Sequence, residues 1–103
     1  MSSVRRNQKV DANQAVIVAA LRQAGAVVQS LASVGKGVPD LLVGYLGHTV
    51  MMEVKDSAKV PSARKLTEEQ LKWHAAWQGG TLAVVDSPKS ALRVLGVIRE
   101  SAA

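Results

Sequence analysis

Two apolar segments separated by only two residues constrain the fold of this chain more than any other feature. Residues 40–46 and 49–55 are both rich in Leu, Val and Met, and only Gly47 and His48 lie between them. Such a short connection between two strand-like segments predicts an antiparallel hairpin. Because both segments are almost continuously apolar, we expect them to belong to a sheet that is covered on both faces.

The residues before the hairpin predict a helix, a strand and a loop. In residues 11–24 apolar side chains recur at helical spacing, Asp11 can cap the first turn, and Gly25 stands where a helix would end. Residues 26–31 are short and β-branched, which favours a strand. Two glycines and a proline in residues 35–39 then predict a tight loop.

The residues after the hairpin begin with a polar segment, residues 56–65, that we expect to be irregular and mobile. Thr67 and Gln70 then have the spacing of a capping box, in which each side chain bonds the backbone of the other residue. This pattern predicts a second helix that starts at Thr67 and runs to about Trp77.

The end of the chain predicts one more strand and one more helix. Residues 81–85 are apolar, and Ser87 followed by Pro88 is typical of a helix start. The predicted order is therefore α-β-β-β-α-β-α. We expect residues 1–103 to form a single α/β domain with a mixed central sheet flanked by helices, preceded by a flexible basic arm at residues 1–9.

Composition narrows the possible sites and partners. The chain has 103 residues, no cysteine and a formal net charge of +5. Without cysteine, any metal must be held by oxygen or by His. No segment is apolar over the roughly 20 residues that a bilayer requires, so we expect a soluble, cytoplasmic protein with no membrane partner. The positive charge favours nucleic acid as a partner. The candidate DNA-binding residues are Arg5, Arg6, Lys36, Lys59, Arg64, Lys65 and Lys72.

Three charged residues in the apolar hairpin are the strongest candidates for chemistry. Alternation along a strand places Glu53 and Lys55 on one face, roughly 7 Å apart along the chain, while Val54 points to the other face. Asp40 opens the partner strand of the same hairpin. Two carboxylates that converge from neighbouring strands suit Mg²⁺ or Mn²⁺, which can activate water against a phosphodiester. A lysine beside them could orient that water or neutralise developing charge.

Each of these charges also has a simpler explanation. A Glu-x-Lys pair at a strand end is usually a solvated ion pair, and an Asp after Pro usually starts a turn. Both strands, however, are so apolar that we expect them to be buried, and the three charged residues should then be at least partly buried with them. Buried charges need a partner or a metal, so the three residues together favour a site.

Three sequence blocks, taken in order, resemble a known family. They are Gly37-Val38-Pro39-Asp40-Leu41-Leu42-Val43, Met52-Glu53-Val54-Lys55 and Leu66-Thr67-Glu68-Glu69-Gln70. Together they are similar to the VRR-NUC domain, a virus-type nuclease module of the PD-(D/E)XK superfamily, and the resemblance extends over nearly the whole chain. It implies a restriction-endonuclease-like domain with divalent-metal-dependent nuclease activity.

The resemblance also implies a role for each residue of the site. Asp40 and Glu53 would bind the metal, and the Val54 carbonyl would complete its coordination. Lys55 would assist the attacking water. Gln70 would lie near the site, although its place in the capping box already explains a glutamine there.

Family members usually carry a glutamate on the first helix, and the matching position here is Gln14. Gln14 lies on the inward stripe with Ile17 and Leu21, from which it could reach the sheet and offer its carbonyl to the metal. It adds no charge. Either the site binds metal more weakly than in other members, or an acid has been replaced at this position.

The remaining histidines and tryptophans have structural explanations. His48 is predicted in the hairpin turn and His74 in packing on the second helix, and two unlinked histidines are too few for a zinc site. Trp73 and Trp77 lie four residues apart, on one side of their helix. We expect them to close the core or a subunit interface rather than to stack on bases.

The predicted function is that of a Mg²⁺- or Mn²⁺-dependent DNA endonuclease with no organic cofactor. Analogy with stand-alone viral members suggests branched substrates such as four-way (Holliday) junctions, a phage or prophage origin, and a homodimer. Trp73, Trp77 and residues 81–85 are the candidates for the dimer contact. The alternative is a catalytically silent DNA-binding accessory module in which the three charges form only a buried polar network, and Gln14 favours it.

Overall fold

The computed structural model describes residues 12–98, and the bounds of its helices and strands are as follows. The elements are α1 (Ala12–Gln23), β1 (Val27–Ser30), β2 (Leu41–Tyr45), β3 (His48–Val54), α2 (Pro61–Arg64), α3 (Glu68–Ala76), β4 (Thr81–Val85) and α4 (Pro88–Leu95). The expected helix cap Asp11 and the basic arm with Arg5 and Arg6 lie outside the described residues.

The four strands form one mixed sheet in the order β1-β2-β3-β4. β1 pairs antiparallel with β2, and β2 pairs antiparallel with β3, with Leu41 opposite Met52. β4 pairs parallel with β3, with Glu53 opposite Val84. A parallel pair needs a long crossover connection, and residues 55–80 with their two helices supply it. The predicted α/β class with a mixed sheet flanked by helices is confirmed.

The core lies between one face of the sheet and helices α1 and α4. Ile17 and Leu21 of α1 and Ala91 of α4 have no exposed surface. They pack against every second residue of the strands, because alternate side chains of a strand share a face. The strand residues of this core cluster are Val28, Leu41, Val43, Val50, Met52, Val54 and Val85.

The opposite face of the sheet is only partly covered, which corrects the expectation of a sheet enclosed on both sides. On this face β3 is buried at Met51 and Glu53. Exposed fractions are 36% for Leu42 on β2 and 49% for Val84 on β4. The reason is that the nine-residue helix α3, whose Gln70 contacts Glu53, is too short to cover four strands.

The hairpin turn lies one residue earlier than predicted. Tyr45 pairs with His48, so the two-residue turn is Leu46-Gly47 and His48 begins β3. Both turn residues have positive φ, 46° for Leu46 and 82° for Gly47. Positive φ at both central residues is the geometry of a type I′ turn, whose twist matches that of the flanking strands.

The predicted order of elements lacks one helix. Residues 56–65, expected to be irregular, contain the short helix α2, so the observed order is α-β-β-β-α-α-β-α. Pro61 stands at the first helical position, where its missing N–H costs nothing, and this favours a single helical turn. The predicted helix starts at Thr67 and at Ser87 are confirmed, and each has a complete capping box.

A close backbone contact holds α3 against the loop that leads into β2. Gly37 has φ +84°, and a Cβ added there would lie 2.4 Å from the Glu69 carbonyl oxygen. The loop can approach the first turn of α3 this closely only because residue 37 has no side chain. The contact ties the loop before Asp40 to the helix that carries Gln70.

None of the helices within residues 12–98 combines the length and the apolar character needed to cross a membrane.

Candidate metal and phosphodiester site

The antiparallel pairing of β2 and β3 brings Asp40 and Glu53, hereafter the carboxylate pair, together. Leu41 is opposite Met52, and one further step in that register places Asp40 opposite Glu53. The Val54 N–H donates a hydrogen bond of 2.8 Å to Asp40 Oδ2, which fixes the Asp40 side chain at the end of β3. In an extended strand the N–H and C=O of one residue point to the same side, so the Val54 carbonyl also faces Asp40.

Gln70 joins α3 to the sheet through both ends of its amide. Its Nε2 donates to Glu53 Oε2 at 3.0 Å, and its Oε1 accepts from Lys55 Nζ at 3.0 Å. The same Oε1 accepts from the Thr67 N–H at 2.8 Å, which completes the capping box. One side chain therefore caps the helix and contacts both Glu53 and Lys55, and a role of Gln70 in catalysis stays a prediction.

Lys55 is held at the end of β3 beside Glu53, on the shared face predicted by alternation. Its Nζ lies 4.0 Å from Glu53 Oε2, and its side chain is 14% exposed. Its backbone N–H donates to the Val85 carbonyl at 2.9 Å, and its carbonyl accepts from Asn13 Nδ2 at 2.8 Å. Both backbone polar groups are engaged, so the lysine projects from a fixed position.

Glu53 is a buried carboxyl group with an unusual charge environment. It is 2% exposed, and its Oε1 has no hydrogen-bond partner among the described residues. Burial first, and then the neighbouring Asp40 carboxylate, to which a protonated Glu53 would donate a hydrogen bond, raise the pKa of Glu53 to about 8, and the charge of Lys55 opposes them. Two carboxyl groups this close resist sharing two negative charges unless a cation joins them.

The pKa of Glu53 predicts that the stability of the metal-free protein falls as pH rises. Between the ordinary pKa of 4.5 and the folded-state pKa of about 8, the folded protein holds one more proton than the unfolded chain. The free energy of unfolding therefore decreases with pH across this interval. Urea denaturation in a chelating buffer at pH 6 and pH 8.5 should show this loss in the wild type and a smaller loss in Glu53→Gln.

Comparing the wild type with Glu53→Gln also removes the contribution of His74, the other described residue whose pKa is shifted. Burial, and then the charge of Lys55, lower the pKa of His74, which makes the folded state less favourable as pH falls through 6.5. That effect has the opposite sign and is present in both proteins. Equal pH dependence in the wild type and in Glu53→Gln would contradict the environment described for Glu53.

The oxygen atoms at this site suit a divalent cation, although only two of the candidate ligands, Asp40 and Glu53, carry a charge. The unpaired Glu53 Oε1, the neighbouring Asp40 and the Val54 carbonyl are hard oxygen donors of the kind that Mg²⁺ and Mn²⁺ prefer. Within residues 12–98 no three His, Cys, Asp or Glu side chains cluster as metal ligands. Gln14 is buried at 7% exposure on the inward stripe of α1 beside Ile17 and Leu21, as predicted, but this stripe packs on the face of the sheet opposite to Glu53, so the structure does not place Gln14 beside the carboxylate pair.

The basic residues expected to contact DNA lie on the surface. Those within the described part of the chain are all exposed, namely Lys36, Lys59, Arg64, Lys65 and Lys72. Lys59, Arg64 and Lys65 belong to the connection that directly follows Lys55. The connection therefore places exposed basic residues in the segment that begins at the candidate site.

Sequence reasoning missed two contributors to the site. Asn13 Nδ2 donates both to the Lys55 carbonyl and, at 3.0 Å, to the Asp86 carbonyl, so it joins the ends of β3 and β4. The ring of His74 lies one helical turn after Gln70, and its buried Nε2 has no hydrogen-bond partner among the described residues. An asparagine in the first turn of α1 was the available signal for Asn13, but only the tertiary structure shows its partners.

The two tryptophans of the α3 region lie on one side of their helix, as their spacing predicted, and they stack on each other outside the core cluster. The Trp73 and Trp77 rings are 5.1 Å apart and nearly parallel, at 16°. Trp77 Nε1 donates to the Gly80 carbonyl at 2.7 Å. The pair therefore stabilises the turn between α3 and β4, and Trp77 remains 37% exposed.

Comparison of the chain with protein-family models, with curated proteins and with solved structures found no match. The resemblance to the VRR-NUC domain stays a prediction that depends on its three sequence blocks.

Proposed function

We propose that this protein is a divalent-metal-dependent DNA endonuclease with a restriction-endonuclease-like core. The observation that carries the proposal is the carboxylate pair, in which Glu53 is buried with one unpaired oxygen and Asp40 is half-buried, beside a lysine that is held in place by Gln70. Burying the Glu53 carboxyl group next to a second acid is costly, and a bound cation would offset that cost. Acids with a strongly shifted pKa, such as Glu53, are typical of functional sites.

Each residue of the site then has a chemical role. Asp40, Glu53 and the Val54 carbonyl would hold Mg²⁺ or Mn²⁺. The bound ion would lower the pKa of a water molecule and polarise the phosphate. Lys55 would orient the attacking water and offset charge on the pentacovalent phosphate. Gln70 would keep Lys55 and Glu53 at a constant separation, because its amide bonds both of them.

Gln14 offers a test of the ligand role that the family resemblance implies for it. In that role Gln14→Glu would add a negative oxygen ligand, so we expect Mg²⁺ or Mn²⁺ to half-saturate the protein at a several-fold lower concentration. The matched control is Gln23→Glu, which adds the same charge to the exposed end of the same helix. Identical metal titrations for the two variants would place Gln14 outside the site.

The proposed substrate is DNA, with branched structures such as four-way junctions preferred. Exposed basic residues beside the site, among them Arg64 and Lys65, support a phosphate-tracking surface. The proposal includes a homodimer, since two sites related by a two-fold axis could cut both strands of a symmetric junction. Exposed apolar side chains of the α3 region, Leu71 at 55% and Trp77 at 37%, support a contact there, and β4 is an edge strand.

The experiment that tests the proposal is incubation of end-labelled linear, flapped, forked and four-way DNA with the protein in Mg²⁺, Mn²⁺ or a chelator. We expect metal-dependent cleavage that is strongest on a branched substrate. The absence of cleavage on every substrate, with the protein folded and bound to DNA, would contradict the endonuclease.

The second candidate is a DNA-binding module without catalysis, which is favoured by the neutral Gln14 where family resemblance leads one to expect an acid. In that case the carboxylate pair is only a polar network, and Lys55 its counter-ion. A thermal-shift titration separates the two functions, because only a metal site gives stabilisation that grows with Mn²⁺ concentration and disappears in Glu53→Gln.

A further inference from the structure

An open cleft of about 290 Å³ lies beside the candidate site on the β4 side of β3. Its lining residues are Lys55, Ser57, Arg64, Val84, Val85 and Asp86. Val84 is opposite Glu53 in the parallel register, whereas Asp40 contacts β3 from the β2 side. The cleft and Asp40 therefore flank Glu53 and Lys55 from opposite sides.

The walls of the cleft differ in chemistry. Lys55 and Arg64 supply two positive charges, and Ser57 supplies a hydroxyl group. Val84, 49% exposed, makes the cleft apolar on its β4 side, whereas Val85 is 1% exposed and belongs to the core. Asp86 adds one carboxylate, a hydrogen-bond acceptor that would repel a polyphosphate. A ligand matching this lining carries a single phosphate, an apolar surface and hydrogen-bond donors.

The cleft is built on fixed backbone. Asn13 Nδ2 bonds the carbonyls of both Lys55 and Asp86, and the Lys55 N–H bonds the Val85 carbonyl. These contacts join the ends of β3 and β4, which form the floor of the cleft. A site whose polar groups are already in position loses less entropy when a ligand binds.

We propose that this cleft binds one unpaired nucleotide of the substrate strand, next to the scissile phosphate. Arg64 receives the nucleotide's phosphate, Val84 contacts its sugar and base, and Asp86 accepts a hydrogen bond from a base or sugar donor. The volume of about 290 Å³ lies just below the range of about 300–1,000 Å³ that is typical of small-ligand pockets, so the cleft suits one nucleotide and is too small for a base pair. The location next to the scissile phosphate depends on the proposed endonuclease, and the binding of a nucleotide does not.

The consequence for the proposed reaction is a substrate preference. A base can enter the cleft only when it is unpaired, so DNA with an unpaired nucleotide at the cleavage position avoids the cost of disrupting a base pair. We expect flapped or forked DNA with such a nucleotide to be cut faster than a fully paired duplex of the same sequence.

The binding test uses deoxythymidine 5′-monophosphate as the probe, with the full chain in metal-free buffer and backbone amides followed by NMR. We expect saturable shifts at Ser57, Val85 and Asp86. Inorganic phosphate and thymidine, each alone, should give weaker binding at the same amides. Arg64→Ala should weaken binding of the nucleotide about tenfold, because it removes a charge-assisted hydrogen bond.

The matched control is Arg93→Ala, which removes an exposed arginine from α4, outside the cleft lining and outside the candidate DNA-binding residues. Its nucleotide affinity should stay within about twofold of the wild type, because an exposed charge outside the contact contributes little. Equal losses for both variants, or equal binding of nucleotide and inorganic phosphate, would overturn the cleft as a nucleotide site.

Cleavage assays separate this proposal from the proposed function. If nucleotide binding depends on Arg64 but no DNA is cut in Mg²⁺ or Mn²⁺, the cleft is a nucleotide site and the proposed endonuclease function is wrong. If DNA is cut but the nucleotide shifts are absent, the endonuclease stands and the cleft proposal is wrong. With both intact, Arg64→Ala should lower the preference for an unpaired nucleotide over the paired duplex.

Discussion

Glu53→Gln is expected to reduce metal-dependent DNA cleavage by about 10²–10³-fold or more, because a preorganised group that stabilises transition-state charge has an effect of this size. The substitution keeps the shape of the side chain and an oxygen to accept the Gln70 Nε2 hydrogen bond of 3.0 Å. It removes the negative charge that the proposed metal requires. Initial rates on the best branched substrate in saturating Mn²⁺ measure the effect.

This variant should stay folded, which separates catalysis from stability. The pKa of Glu53 is raised to about 8 by burial and by Asp40, so the folded protein already favours a neutral side chain there. We expect urea denaturation of Glu53→Gln in metal-free buffer at pH 8 to show stability equal to or above that of the wild type. Lys55→Met should likewise lose cleavage. It removes the ammonium group that lies 4.0 Å from Glu53 Oε2 and that would orient the attacking water.

The control is Glu68→Gln, which neutralises an exposed carboxylate in the first turn of α3 without touching the carboxylate pair. It should cut DNA at nearly the wild-type rate. Retention of more than about a tenth of the wild-type rate by folded Glu53→Gln would contradict the proposed role of Glu53, given the usual size of the effect.

Gly37→Ala is expected to lower the free energy of unfolding by about 3 kcal/mol or more, a large fraction of the stability of a small domain. Two costs add. Residue 37 has φ +84°, which L side chains rarely adopt, and the new Cβ would lie 2.4 Å from the Glu69 carbonyl oxygen and 2.7 Å from its carbon. These atoms belong to the backbone of α3, so they cannot yield by a change of rotamer.

Gly35→Ala in the same loop separates the two costs. Gly35 also has positive φ, at +71°, but nothing lies within 4 Å of a Cβ added there. It should lose only the roughly 1–2 kcal/mol of left-handed strain. Urea denaturation of both variants measures the difference, and equal losses would contradict the close approach of the loop to α3.

The Gly37→Ala variant also links the fold to the site. Displacing the first turn of α3 moves Gln70, which bonds Glu53 and Lys55 at 3.0 Å each. We therefore expect the folded fraction of Gly37→Ala to lose cleavage beyond what its stability explains. The corresponding fraction of Gly35→Ala should keep it.

Local patterns in the sequence predicted most of the elements. Capping boxes depend on residues three apart, so Thr67 with Gln70 and the Ser87 start were predictable without tertiary information. The antiparallel hairpin followed from two apolar segments with a two-residue connection. Errors arose where local signals compete, as in the one-residue shift of the turn to Leu46-Gly47 and the helical turn that Pro61 begins.

The sequence was enough to predict which residues of the hairpin belong to the candidate site. It did not indicate which other parts of the chain pack around them. Alternation put Glu53 and Lys55 on one face, and the antiparallel pairing put Asp40 beside them. Nothing local indicated that Asn13 would join Lys55 to Asp86, because those bonds span 42 and 73 residues. The cleft likewise forms where β3, β4 and the connection after Lys55 meet, which no sequence window contains.

Patterns along the chain were enough to predict the α/β class, the starts of α3 and α4, the hairpin and the order of charged residues along it, because each depends on neighbours a few residues apart. The deep burial of Glu53, the bonds of Gln70 to both Glu53 and Lys55, and the partly exposed face of the sheet are visible only in the folded chain. These properties depend on how far apart segments pack and on the loss of water around charges. Neither quantity is encoded in any single stretch of the chain.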